Sequence, residues 1–394
     1  MEVLRFRALL RDKHFPDYTA LHYKYGDLLP EFLRDLYAFY GVELPLQTAG
    51  GDPLWLLEGL ADPPQDAVKN LLRAQTDAYG KHACAEEMIA SSAIEDIDLQ
   101  RESVRNILRG LAPANDEEQR VYGQKLGYDF ITDPANEITE ENIHRLYMLT
   151  VGAFLPPDTA LPEGCLYRND EVFVVSSRVE HNGAPPAKVP EMMRALTDFI
   201  NTEDRRNDLV KAAVIHCQFA LIHPYFDGNG RMARMLHLWY LLRRGYRSAL
   251  FLPFSYQIRR TRREYYNTFT LIRANAAFSG KTDVTPFVTY FIEHVYRGMA
   301  DAAAVFALDE DYTLRALPSG RITPKEDDLW TFVRSAYGAE AFSTKQLEKD
   351  YGKAAYATIY KFVQKFTELG YLRQLRYGAR VRYQIRADVG TKGK

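Results

Sequence analysis

Cysteine is scarce in this chain: Cys84, Cys165 and Cys217 are three among 394 residues, far apart and odd in number. Such usage argues against a disulfide framework, and no Cys-x-x-Cys pair is there to hold zinc. It predicts a reducing, cytoplasmic setting. Long apolar runs are also missing. No stretch approaches the ~20 residues of a membrane span, and the opening MEVLRFRALLRDKHF carries charge in every turn, unlike a secretory signal or an anchor. No sign of charge dominates either, since 50 Lys and Arg face 52 Asp and Glu. Global charge therefore names no nucleic-acid or membrane partner, and any such attraction needs a local patch.

What is present is enough apolar material, 46% of the chain, for a soluble protein of two or three domains. Residues 1 to about 62 alternate aromatic-rich stretches with Gly and Pro and read as short helices and loops. After Pro64, the spacing of Val68, Leu71, Leu72 and Tyr79 predicts a helix sustained to Asp96. Further helices are expected at ESVRNILRGL, at DEEQRVYGQKLGYDF and at TEENIHRLYMLTVGAF, with Thr139 as an N-cap. Between Gly164 and Pro190 the β-branched and aromatic run at Val172, Phe173, Val174 and Val175 predicts a short hairpin. Helical spacing returns in DLVKAAVIHCQFALI, where Ala213, His216, Cys217, Ala220 and Leu221 read as one apolar stripe. It resumes through Met232, Met235, Leu236, Trp239 and Tyr240 until Gly245 supplies the residue beyond the helix end.

Between those two helices lies HPYFDGNGRMAR, His223 to Arg234. Gly228, Asn229 and Gly230 sit where a loop becomes a helix, so successive N–H groups and the helix dipole can receive one phosphate. Arg231 and Arg234 lie one turn apart on that helix and can fork onto further phosphate oxygens. Asp227 adds the single carboxylate with which Mg²⁺ is usually held beside substrate phosphates. His223, at the same mouth, titrates in the range needed to take a proton from an attacking hydroxyl. A Gly-Asn-Gly turn alone is common; it is the joint pattern that describes nucleotide transfer to a hydroxyl. His216 is read as a hydrogen-bonded core histidine, because no second metal ligand has a suitable spacing.

These residues resemble the Fic family, whose signature is His-Pro-Phe-x-[Asp/Glu]-Gly-Asn-Gly-Arg-x-x-Arg. Every position matches except Tyr225, which stands where Phe is usual. The looser similarity runs from about residue 85 to 300. The resemblance implies a mainly α fold, a Fic-like helical bundle with a short β-hairpin flap. It also implies an enzyme that transfers AMP from ATP, with Mg²⁺, to a Tyr, Ser or Thr hydroxyl of a protein target. By the same resemblance His223 is the base and Asp227 the Mg²⁺ ligand. Gly228, Asn229, Gly230, Arg231 and Arg234 bind the nucleotide phosphates, Tyr266 sits at the adenine pocket with Asn275 as a weaker contact, and Val172, Phe173 and Val174 belong to the target-binding flap. A Doc-like kinase branch carries Lys at the position of Gly230, so the Gly favours adenylylation.

SSAIED, at the end of the helix before the core, resembles the family's inhibitory motif, with Ser91 and Glu95 in the regulatory positions. Glu95 paired with Arg234 would occupy the cation that the γ-phosphate needs. Asp96 replaces the usual Gly or Asn at the helix end, where a left-handed backbone is expected. The expected organisation is an N-terminal helical region with the inhibitory helix at 1–115, a Fic core at 116–306, a linker at 307–322 and a winged helix-turn-helix at 323–388. In that last module Lys361, Lys365, Arg373, Arg376, Arg380 and Arg382 gather with only Glu368 opposing them. DNA contact, protein contact and a merely solvated face all stay open there, as does pairing into a homodimer. Two rival activities also stay open: removal of AMP from a modified protein, and a DNA-binding regulator whose core senses nucleotide.

Overall fold

The computed structural model describes residues 1–60, 63, 77–108, 110–157, 159–176, 179–246, 254–299, 320–337, 341–377 and 380–386. Three helices begin the chain: α1 (Val3–Leu10), α2 (Tyr18–Tyr25) and α3 (Leu28–Tyr40). Asp17 starts α2 by accepting the Ala20 N–H at 2.9 Å, and the three pack through Leu9, Tyr18, Leu21, Phe32 and Leu36.

The next stretch, expected as short helices and loops, is sheet. β1 (Gly41–Gln47) pairs antiparallel with β2 (Pro53–Leu57), and β2 pairs in parallel with β5 (Thr282–Asp283). Leu44 and Leu46 are buried between exposed Glu43, Pro45 and Gln47, a period-2 pattern that the Gly and Pro punctuation obscured. The third strand comes from far along the chain, so no local reading announces it.

Among the described residues four helices follow: α4 (Asp77–Ile94), α5 (Arg101–Leu108), α6 (Asp116–Thr132) and α7 (Glu140–Thr150). Thr139 caps α7 as expected, its hydroxyl accepting the Asn142 N–H at 3.2 Å. The expected first turns of α4, at Val68, Leu71 and Leu72, and the Tyr79 side chain lie outside the described residues. The hairpin is present as β3 (Phe173–Ser176) and β4 (Val179–Asn182), in register from Phe173↔Asn182 to Ser176↔Val179. Val172 precedes the first strand, its carbonyl accepting the Gly183 N–H at 3.2 Å.

Beyond α8 (Val189–Asn201), the helix α9 (Asp208–Ile222) departs from the expected stripe. It is buried on every face from Leu209 to Phe219 apart from Val210, while Ala220 and Leu221 are only half-buried. A helix at the centre of a bundle has apolar neighbours all round, which removes the single-face signal. Its neighbour α10 (Asn229–Arg243) buries Met232, Leu236 and Trp239, with Trp239 edge-on to Phe130 at 5.5 Å. Gly245 follows with φ 84°, the left-handed residue expected past the helix end. Then come α11 (Phe254–Arg260), α12 (Arg262–Ser279) and α13 (Thr285–Tyr290), which continues as a π-helical turn over Phe291–Tyr296.

Packing divides the chain into two compact units. One comprises Met1–Gln65, Glu87–Tyr246 and Phe254–Tyr296; the other comprises Asp66–Glu86, Arg247–Pro253 and Arg297–Lys394. In the second, α14 (Pro324–Tyr337), α15 (Thr344–Tyr351) and α16 (Tyr356–Glu368) precede an antiparallel hairpin of β6 (Leu372–Tyr377) and β7 (Arg380–Ile385). Trp330, Val333, Phe342, Leu347, Ile359, Phe362 and Tyr383 share one core. Most of the expected linker at 307–322 lies outside the described residues. Among those described, no helix is long and apolar enough to cross a membrane.

Candidate active site

α9 ends at His223, which takes a left-handed backbone (φ 55°, ψ 61°) while its N–H still donates to the Phe219 carbonyl at 3.0 Å. A non-glycine residue in that region is uncommon and needs support from its surroundings. The chain then bends through Pro224–Asp227. Asn229 fixes the bend: its Oδ1 accepts the Tyr225 N–H at 2.9 Å and its Nδ2 donates to the Tyr225 carbonyl at 2.7 Å. The Tyr225 ring is fully buried and stacks on Tyr147, centroids 3.7 Å apart. The side chain of Asn229 thus serves the loop, which leaves its backbone to face an anion.

Gly228 opens α10 with φ 79°, and a Cβ there would lie 2.6 Å from Val151 Cγ1. Backbone conformation and space both demand glycine. The first N–H groups of α10 lack intrahelical acceptors by geometry, so they form a cradle for negative charge. Asp227 stands beside it with Oδ1 accepting the Gly228 N–H at 2.6 Å and Oδ2 3.3 Å from Arg231 Nη2, its side chain 56% exposed. Burial pushes the Arg231 guanidinium down, against the pull of Asp227 and Glu95.

Arg234 is 1% exposed, and two residues meet it, Ser91 on α4 and Glu95 just past its end. Its Nε donates to Ser91 Oγ at 2.8 Å, and its Nη2 donates to the Ser91 carbonyl and to Glu95 Oε1, both at 2.9 Å. Burial is the largest single influence and disfavours this charge, but Glu95 together with Tyr265 and Tyr266 outweighs it, and the net shift of Arg234 is upward. A Cβ on Gly230 would collide with Glu95 Oε1, so the carboxylate rests over the first turn of α10. A lysine at Gly230 and Glu95 in this position exclude one another.

The end of α4 is held as well. Asp96 has φ 58° and takes two hydrogen bonds from Arg262, each 2.7 Å, which hold its carboxyl below the usual carboxylate range. Arg262 lies over the Tyr266 ring at 5.6 Å, and the Tyr266 hydroxyl donates to the Ile94 carbonyl at 3.3 Å. Tyr266 is therefore near Arg234 and Glu95. Asn275 is not: it is fully buried, donating to the Pro16 carbonyl at 2.7 Å and accepting the Tyr18 N–H at 3.0 Å. It fastens the N-terminal helices and is withdrawn from the adenine pocket.

Of the expected flap residues, Phe173 is 72% exposed, Val172 is half-buried beside the hairpin base, and the Val174 side chain lies outside the described residues. His216 is buried with Nε2 3.0 Å from the Tyr265 hydroxyl, and burial among aromatic rings keeps it neutral. Among the described residues, no three His, Cys, Asp or Glu gather as a metal cluster.

Three residues of this region escape sequence reasoning. Glu87, two turns before Glu95, is buried and accepts hydrogen bonds from the N–H and hydroxyl of Ser255; burial pushes its carboxyl up to about 7. Arg262 was one cation in an Arg-rich run. Arg168, 2% exposed, donates from its side chain to three backbone carbonyls, one of them that of His223. Nothing local marks any of them, because each has a deciding partner distant in sequence: Ser255 for Glu87, Asp96 for Arg262 and His223 for Arg168.

The fold and the site together define a helical domain that presents a histidine and an anion cradle at one bend between two buried helices. Residues 137–241 match the family model described as Fic/DOC family. Among curated proteins it is similar to protein adenylyltransferase fic-1 of Caenorhabditis elegans, 29% identical over 146 residues, 36% of this chain and 26% of that protein. It is also similar to protein adenylyltransferase Fic of Drosophila willistoni, 26% identical over 237 residues, 58% of this chain and 42% of that protein. The chain thus spans less than half the length of these two relatives. A solved structure of a Fic family protein from Desulfovibrio desulfuricans G20 aligns at 22% identity over 85% of this chain and 100% of that one, with a TM-score of 0.48.

Proposed function

We propose that this protein is an adenylyltransferase that moves AMP from ATP to a hydroxyl side chain of a protein, held in check by its own Glu95. The observation that carries this reading is the buried Arg234 guanidinium, placed one turn into the helix that opens on Gly228 and answered by Ser91 and Glu95. A cation that deep, at a helix N-terminus, suits a polyphosphate, and a carboxylate in its place blocks the productive pose. His223 would take the proton from the target hydroxyl as its oxygen attacks the α-phosphorus. The P–O bond to pyrophosphate breaks and the electron pair leaves with it. The α10 cradle and Arg231 hold the triphosphate while this happens.

Asp227 is the residue that would hold Mg²⁺. Its side chain is more than half exposed beside the cradle, and one carboxylate with phosphates and water is the set this ion takes. Bound there, the ion would offset charge on the phosphates. Phe173, exposed on the hairpin, would meet the target segment, which adds to the hairpin edge as a strand. Tyr266 would border the adenine.

The C-terminal helices and hairpin are read as a winged helix. Lys361, Arg376, Arg380 and Arg382 are exposed, and Tyr356 and Tyr360 stack in the open on α16. Lys365 leaves the basic set because Glu326 neutralises it at 2.8 Å, and Arg373 is occupied by Gln384. Glu368 is thus not the sole acidic residue opposing the patch. The remaining set suits a protein or DNA surface, a cytoplasmic setting is expected, and a homodimer through this module is compatible with it.

One experiment tests the central reading. Wild-type, Glu95→Gly and His223→Ala proteins are incubated with Mg²⁺ and α-labelled ATP, and adducts are located by mass spectrometry. The reading expects label on protein with Glu95→Gly and none with His223→Ala. Loss of AMP from a previously modified protein, requiring Glu95, would instead favour the reverse reaction.

A further inference from the structure

Arg168 lies outside the signature and outside the phosphate cradle, yet among the described residues it is one of the most buried charged groups, at 2% exposure. Its guanidinium faces carbonyl oxygens instead of a carboxylate. Nε donates to the His223 carbonyl at 2.8 Å, Nη1 to the Asp170 carbonyl at 2.6 Å and Nη2 to the Ala184 carbonyl. Its own N–H donates to the Pro224 carbonyl at 3.0 Å, so one residue engages two successive carbonyls of the bend. The Ala184 N–H in turn donates to the Ile222 carbonyl at 3.1 Å, and Gly183 donates to Val172. Both feet of the hairpin and the end of α9 thus converge on a single planar group.

Gly183 shows how tightly the group is enclosed. A Cβ there would lie 2.7 Å from Arg168 Nη2 and 3.0 Å from the Cβ of His223. The guanidinium tip is the flexible end of a side chain, but three carbonyl bonds prevent it from yielding.

We infer that Arg168 is a positioning residue: through the His223 carbonyl it sets the left-handed backbone that aims the imidazole, and through Asp170 and Ala184 it fixes the hairpin in register with that imidazole. The inference rests on the adenylyltransferase reading for its kinetic consequence, while its structural consequence stands alone. A planar fork with donors in fixed directions serves three carbonyls at once, and an ammonium on a flexible stem does not. The positioning matters because a misplacement of about 1 Å costs a reaction on the order of 100-fold in rate.

The test uses the full chain with Glu95→Gly as the active parent, and adds Arg168→Lys, Arg168→Gly or Gly183→Ala. The expected result is AMP transfer slowed 10- to 100-fold while ATP affinity stays within about two-fold, since the cradle is untouched. Millimolar guanidinium should restore part of the rate to Arg168→Gly and leave the parent unchanged. Hydrogen exchange supplies the readout that needs no activity. Peptides covering 170–184 and 222–227 should exchange faster together in Arg168→Lys and in Gly183→Ala, while α9 and α10 remain protected. Variants that melt cooperatively yet keep the parent's rate, or lose ATP affinity in step with rate, overturn the inference. So does unchanged exchange at the hairpin and bend. A parent that transfers no AMP counts against the adenylyltransferase reading alone, and the exchange result then decides Arg168.

Discussion

Glu95 Oε1 lies 2.9 Å from Arg234 Nη2, and the arginine is sealed from water while the carboxylate side chain is 30% exposed. A partner that reaches solvent can leave, whereas a guanidinium that does not must find another anion. Glu95→Gly should therefore lower stability by about 1–2 kcal/mol, less than the full cost of breaking a buried pair. Saturating ATP with Mg²⁺ should then raise the melting temperature of Glu95→Gly more than that of wild type. Calorimetry with and without nucleotide checks both, and an equal shift in the two proteins would sink the competition between carboxylate and phosphate.

The Asp96–Arg262 pair keeps the end of α4 over the site. Both members are substantially exposed, so their loss should barely change global stability. Asp96→Ala should still raise label incorporation two- to five-fold by letting Glu95 swing away more often. Added to Glu95→Gly it should do nothing more, and a multiplicative gain in the double variant would show that the pair acts elsewhere.

Tyr225 and Tyr147 stack with their hydroxyls buried and without a partner among the described residues. A buried polar group left unsatisfied costs about 1–3 kcal/mol. Tyr225→Phe should accordingly stabilise the protein by about 1 kcal/mol in denaturant melts. A fall in stability would mean that the hydroxyl has a partner.

Glu87 gives a pH signature. Burial pushes its carboxyl from an ordinary 4.5 up to about 7, so the folded state holds a proton that the unfolded state releases. Its contribution is fully present below pH 4.5 and is lost as pH rises through about 7. The loss amounts to roughly 3 kcal/mol at most, at about 1.4 kcal/mol for each pH unit between the two values. Glu87→Gln keeps a neutral side chain throughout. The stability gap between Glu87→Gln and wild type should therefore widen in favour of the variant between about pH 4.5 and 7 and level off above that. A gap independent of pH would refute the proton on Glu87.

Local signals in the chain were sound. Thr139 caps its helix, Gly245 takes the left-handed position, and Asp96 adopts the strained conformation that its place after Glu95 demands. The signature gave the bend, and its order of residues placed Gly228 where no other side chain fits. Patterns that depend on one face against water misled. α9 is buried all round, so its apparent stripe was incidental, and the strand pair at Gly41–Leu57 was hidden by its own turn residues.

The sequence alone determined which groups could do chemistry, because the motif residues lie within a few positions of one another and their backbone needs are local. Tertiary structure decided how those groups are held. Arg168 reaching the His223 carbonyl, Arg262 gripping Asp96, and β5 closing a sheet with β2 all join segments distant along the chain. Such contacts form only where folding brings a donor and an acceptor out of water together, and spacing in the sequence carries no record of that meeting.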